Sequence, residues 1–212
     1  MNALTPRLAP REANRDTRRQ AIVDIARDSF LTDGYAATSM SAIAGKLGGS
    51  KGTLYNYFRS KDELFEAIMP EECGAEAAAL SAIVEGGEVE DVLHRMGERM
   101  VRFLTSERAL GVNRLVSAEC QRFPQLGHLF WENGPKLTRK VISDYLAARM
   151  SDGALRHDDP ERCAGYLVAL FKASLHQAFM WNVRDPLTDA EITEHVHGAV
   201  ETFLHGYGAK PA

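Results

Sequence analysis

Little in these 212 residues invites covalent chemistry or a membrane. The three cysteines, Cys73, Cys120 and Cys163, are odd in number and far apart, and no C-x-x-C occurs. That argues against a thiolate zinc site or a dithiol redox pair and predicts small buried hydrophobes. No apolar run approaches the roughly 20 residues of a membrane span. The amino-terminal stretch MNALTPRLAPREANRDTRR lacks the apolar segment of a secretory signal, so a cytoplasmic protein is expected. A Gly-rich phosphate loop and H-E-x-x-H are missing. The histidines are scattered, and His195 and His197, two apart, point to different faces of a helix. No catalytic residue, no metal site and no cofactor are expected. Alternating strand patterns and internal repeats are missing too.

What is there is helical. Hydrophobic periodicity near 3.6 predicts an all-α chain of about nine helices. The organising stretch is TSMSAIAGKLGGSKGTLYNYFRSKDEL, residues 38–64. Ser39 can cap a short helix carrying Met40, Ile43, Ala44 and Leu47. Gly48-Gly49 stops it, because glycine tolerates positive φ. Ser50 can cap a second helix over 51–58, with Leu54 and Phe58 facing inward. Helix, tight turn, helix is the shape of a DNA reader. Ser50, Lys51, Gly52, Thr53, Tyr55, Asn56 and Tyr57 crowd cation, hydroxyl, amide and phenol onto that short second helix. They are the candidate DNA contacts, with Lys61, Thr38 and Ser39 placed to meet phosphates. On residue types alone, a short amphipathic surface helix is an equally good reading.

Charge favours the DNA reading. Residues 1–61 carry ten Lys/Arg against five Asp/Glu, a balance of +5, while the remainder carries −9. A basic end on an acidic body suits a protein that presents one end to nucleic acid. A non-specific packaging protein would be basic throughout.

The run from Thr17 to Met69, with GY before the turn, T-S-M, I-A, S-K-G-T-L-Y-x-Y-F and S-K-x-x-L, resembles the N-terminal domain of the TetR family of bacterial transcriptional regulators. Gly49 departs from it: the family usually carries Val just before that Ser. The lost apolar contact is expected to loosen the turn. Residues 108–181 resemble the C-terminal domain of AefR-like and AcrR-like members. The resemblance implies a homodimeric regulator, most simply a repressor of a palindromic operator, released by a small-molecule effector. A redox-responsive or ligand-independent regulator is the alternative, and an enzyme carrying a helix-turn-helix the more distant one.

Three segments are expected: a disordered basic tail at 1–15, a helix-turn-helix domain at 16–61, and a helical regulatory and dimerisation domain at 62–212. One helix over about 62–84, bent at Pro70, should cross the border. In family members the middle helices enclose a ligand cavity. Met96, Met100, Phe103, Leu115, Glu119, Phe130, Trp131, His176 and Met180 are the candidate lining. They imply an apolar or aromatic ligand, cationic if Glu119 faces it; Glu119 can instead pair with Arg122 at i, i+3. Leu170, Phe171, Val200 and Phe203, on helices near 160–184 and 189–207, are the candidate dimer contacts. A ligand among the middle helices should tilt the helix at 62–84 and spoil the spacing of about 34–36 Å that two reading helices need.

Overall fold

The computed structural model describes residues 10–70, 74–84 and 86–209. Among them are twelve helices: α1 (Pro10–Asp33), α2 (Met40–Lys46), α3 (Lys51–Tyr55), α4 (Lys61–Met69), α5 (Ala75–Ile83), α6 (Val89–Leu104), α7 (Glu107–Glu119), α8 (Pro124–Asn133), α9 (Pro135–Ser151), α10 (Pro160–Lys172), α11 (Leu175–Met180) and α12 (Asp189–Tyr207). The one strand-type pairing among the described residues is an isolated antiparallel bridge between Leu155 and Gly208. The fold is all-α, as the periodicity requires.

The helix count exceeds nine for local reasons. The helix expected over 62–84 is described as two, α4 and α5, with residues 71–73 between them outside the described set. The helix expected near 160–184 breaks at Ser174, whose φ is positive, at 52. No glycine or proline marks that break. Pro10 begins α1, ahead of the start expected at 16; a proline suits the first turn, where its missing N–H has no partner to lose. Residues 10–15, expected in the disordered tail, are therefore helical, and residues 1–9 lie outside the described set. The last helix is capped by Thr188, one residue before the expected Asp189. Its hydroxyl accepts from the Glu191 N–H while the Glu191 carboxylate accepts from the Thr188 N–H, a reciprocal capping box.

The chain divides into two compact units, with the border between Ile68 and Met69 rather than at 61/62. The border lies later because Phe65 belongs to the first unit's core. Its ring packs 6.3 Å from Phe30 and 6.0 Å from Tyr35, edge-on to the latter. Ile22, Val23, Ala26, Ile43, Leu54 and Phe58 complete that core.

Tyr35 ties the unit's polar side together. Gly34, at φ 84, turns the chain after α1. The buried Tyr35 hydroxyl then donates to Asp62 Oδ1 (2.5 Å), and its carbonyl accepts from Lys61 Nζ (2.7 Å). Burying a phenol without such a partner would be costly. Ser60 caps α4, accepting the Glu63 N–H at 3.1 Å.

In the second unit α6, α9, α10 and α12 pack around one core, with α5 against α9 and α6. Leu93, Met96, Ile142, Leu146, Leu167, Phe171, Val196, Val200 and Phe203 fill it. Gly97 lets the helices close: a Cβ there would lie 2.6 Å from both Phe171 Cε1 and Val196 Cγ1. Glu76, 2% exposed on α5, is held by Arg99 of α6 at 2.8–3.2 Å through both carboxylate oxygens. A buried carboxylate needs such a partner.

Candidate functional site

The turn between α2 and α3 follows from its glycines. Gly48, at φ 69, closes α2; its N–H donates to Gly45 O and that of Gly49 donates to Ala44 O. These are the paired 5→2 and 6→1 bonds of a Schellman cap. In that motif the residue at Gly49 usually carries an apolar side chain packed back on the helix, which is what a Val there would do. A Cβ on Gly49 would meet only ordinary contacts: Arg18 Nη2 at 3.5 Å, Leu47 Cδ2 at 3.8 Å and Thr53 Cβ at 3.9 Å. The two cap bonds form without the side chain.

Ser39 and Ser50 cap α2 and α3, accepting the N–H groups of Ala42 and Thr53 at 3.1 and 3.2 Å. Leu54 and Phe58 are fully buried, which fixes the rotation of α3. Lys51, Gly52, Tyr55 and Asn56 then face solvent. Thr53 and Tyr57 are half-buried, and the Thr53 hydroxyl lies 3.1 Å from Ser50 Oγ. The α3 helix ends at Tyr55, and Asn56 and Tyr57 continue it as a turn that Phe58 N–H closes on Leu54 O.

Two phosphate candidates have structural duties. Thr38 is buried, and its hydroxyl donates to Gly34 O (2.8 Å) and Ser29 O (3.2 Å), so it faces the core rather than a phosphate. Lys61 is committed in part to Tyr35, through the carbonyl and through the ring face 4.5 Å away. Arg18, which the sequence reading passed over, is exposed and has its guanidinium beside Gly49. The Arg18-Arg19 pair was the available signal; Arg19 stacks over Phe58 at 4.9 Å.

The second unit holds a cavity of about 310 Å³. Met100, Phe103, Phe130 and Trp131 line it, four of the nine expected residues. Met96 is fully buried in the core instead. Leu115, Glu119, His176 and Met180 are half-buried outside the lining; Met180 O accepts from Arg114. Sequence reasoning missed Val112, Asn113, Thr138, Arg139, Val168 and Lys172, which also line the cavity. Helical spacing identifies an apolar stripe but not which of its gaps stays unfilled. The lining carries two cations and no carboxylate, so a cationic ligand held by Glu119 is not what this cavity favours. Burial, and then the Arg139 charge, pushes the Lys172 ammonium below its ordinary range. His176 is likewise pushed down, by burial and then by Lys172.

The expected dimer contacts need correction. Phe171, Val200 and Phe203 are at most 1% exposed within the single chain, and Leu170 packs on the same core. Apolar periodicity picked the inward faces of α10 and α12. Their outward faces carry Tyr166, Glu194, His197 and Glu201.

Cys163 is fully buried and Cys120 half-buried, both as free thiols; Cys73 lies outside the described residues. Burial, ahead of the nearby Asp158, pushes the Cys163 thiol up, away from the reactive thiolate. Among the described residues no group of three or more His, Cys, Asp or Glu could hold a metal ion, and no helix is long and apolar enough to cross a membrane.

Comparison with known proteins agrees with this layout. Residues 22–68 match the family described as bacterial regulatory proteins, tetR family, and residues 91–209 match the AefR-like transcriptional repressor, C-terminal domain. The chain belongs to the TetR family. It is therefore a DNA-binding transcriptional regulator of the helix-turn-helix type, a family of regulators rather than of enzymes. YhgD of Bacillus subtilis, an HTH-type transcriptional regulator, is 25% identical over 192 residues, spanning 88% of this chain and 94% of its own. A TetR-family regulator from Mesorhizobium loti superposes with a TM-score of 0.81 at 26% identity, covering 91% of this chain and 98% of that one. The flavonoid-responsive regulator FrrA superposes at 0.80 with 27% identity, covering 92% and 100%.

Proposed function

We propose that this TetR-family chain is a homodimeric repressor. It reads a palindromic operator through α3 and is released by a small apolar or aromatic ligand bound in the second unit's cavity. The observation that carries the DNA part is the rotation of α3, whose buried Leu54 and Phe58 leave Lys51, Gly52, Tyr55 and Asn56 outward. Lys51 and Gly52 sit at the N-terminal end, the end of a recognition helix that reaches base edges. Gly52 keeps side-chain bulk off that end: a Cβ there would meet only Ser50 Oγ, at 3.6 Å. Ser39, Ser50, Thr53, Tyr57 and Lys61 assist around the contact, and Arg18 joins them.

The ligand part is supported by the cavity, whose volume lies at the lower end of the roughly 300–1,000 Å³ that small organic ligands occupy. FrrA, of the same fold, is flavonoid-responsive, which favours an aromatic body. By linkage, a ligand that weakens operator binding is itself bound more weakly by the operator complex, by the same factor. Buried Cys163, its thiol pushed up, makes a poor redox sensor. For the dimer, the outward faces of α10 and α12, including the half-exposed Tyr166, are the candidate surface.

The test uses the DNA upstream of the chain's own gene. Tyr55→Ala should weaken specific binding by about 1–3 kcal/mol, the usual worth of a base contact. Lys51→Ala should lower affinity and reduce the salt slope by about one unit. If both variants bind as the parent does, α3 is not the reading element. Tyr166→Asp should yield folded monomers in sedimentation; a parent chain that is already monomeric at micromolar concentration ends the dimer proposal.

A further inference from the structure

The cavity's charged groups are all of one sign. Lys172, half-buried at the end of α10, and Arg139, exposed on α9, meet there without a carboxylate in the lining. Arg139 stacks on Trp131 at 5.3 Å, so its guanidinium is held at the open side of the cavity. Neither cation has an ion-pair partner among the described residues. The first turn of α9 also lines the cavity, through Gly134, Pro135 and Thr138, and no side chain caps it. Phe103, Phe130 and Val168 supply the apolar walls.

We infer that this cavity takes an organic anion, with an apolar, ring-sized body against the Phe103, Phe130 and Trp131 walls and a carboxylate-type group paired with Lys172 and Arg139. The inference rests on the reading of the cavity as the effector site and specifies its chemistry. An isolated ammonium in an apolar wall is disfavoured, and a bound carboxylate relieves both its desolvation and its repulsion from Arg139. Arg139 offers a planar fork that suits a carboxylate, while Lys172 acts as a point charge. A neutral ligand would leave both cations uncompensated as it displaced their water, and a cationic one would add to the repulsion.

The probes are 2-naphthoate, its neutral counterpart 2-naphthamide, and 2-naphthylmethylammonium, titrated calorimetrically into the full-length protein. Naphthoate should bind about 10- to 100-fold more tightly than naphthamide, the worth of hydrogen bonds to a charged group. The ammonium should bind most weakly. Arg139→Gln with Lys172→Met should abolish the preference while naphthamide affinity is retained, and Lys172→Arg should restore much of it. Arg139→Gln alone, at an exposed position, should reduce the preference without disturbing the core. Naphthoate binding no tighter than naphthamide, no naphthoate binding at millimolar concentration, or a preference that survives the double change would overturn the inference. Operator affinity measured with each probe separates the two ideas. Selective naphthoate binding that leaves operator affinity unchanged defeats ligand release but upholds the charge preference. Equal release by naphthamide does the reverse.

Discussion

The two units use polar side chains in opposite directions. In residues 10–68 the distinctive ones stand on short helices and point outward: Lys51, Tyr55 and Asn56, held in place by apolar anchors directly beneath them. In residues 74–209 the distinctive ones point inward: Glu76 to Arg99 in the packing of α5 on α6, and Lys172 and Arg139 to a cavity. The first arrangement suits a ligand larger than the unit, for which the surface must be rigid and the core small. The second suits a ligand smaller than the unit, for which the core must contain a gap and tolerate charges that cost stability. DNA affinity and fold stability should therefore separate cleanly in the first unit and be entangled in the second.

The sharpest way to break this contrast is at Val200, fully buried on α12. Val200→Asp should cost at least about 3 kcal/mol, because it places an unpaired carboxylate in the core. Urea unfolding followed by circular dichroism checks it. A folded, monomeric Val200→Asp chain would return that residue to the dimer surface where periodicity first put it.

Two glycines give a matched pair of intermediate size. Gly97→Ala should destabilise by about 1–3 kcal/mol through overpacking, less the gain of about 1 kcal/mol in helix propensity. Gly52→Ala has room for its methyl and should leave stability equal or up to about 1 kcal/mol higher. The same change should lower operator affinity by crowding the approach to base edges. Measuring melting temperature and operator affinity on both variants sharpens the contrast. If Gly52→Ala binds operator normally, close backbone approach is not why glycine stands there.

The smallest effect is expected at Lys172. Its folded-state pKa lies below the ordinary 10.5, chiefly from desolvation, so any stability tied to this shift is present only above the unfolded value. Below the folded-state pKa the group is charged in both states, and the folded state bears the full cost. Lys172→Met should therefore raise the ligand-free melting temperature slightly at pH 7, and the gain should shrink as pH approaches 10. A fall in melting temperature would mean that Lys172 is held by a favourable partner.

The helix-turn-helix was legible because its determinants are local. Ser39, Gly48 and Ser50 act within one turn of themselves, and Leu54 and Phe58 follow helical spacing, so local order alone assigns outward and inward faces. Thr38 and Lys61 were harder to place. Their partners, Ser29 O and Tyr35 O, lie nine and 26 residues away, and spacing along one helix carries no trace of them.

Sequence by itself determined the all-α class, the helix-turn-helix, the break at Asn133-Gly134-Pro135 and the aromatic half of the cavity wall. Tertiary structure alone decided which apolar stripes of α10 and α12 turn inward, since an amphipathic helix looks the same whether its partner is in its own chain or another. It alone decided the break at Ser174, where no glycine or proline marks the change. It also decided the charge of the cavity. Arg139 and Lys172 stand on different helices, and only the packing of α9 on α10 brings two surface-like cations to one cavity.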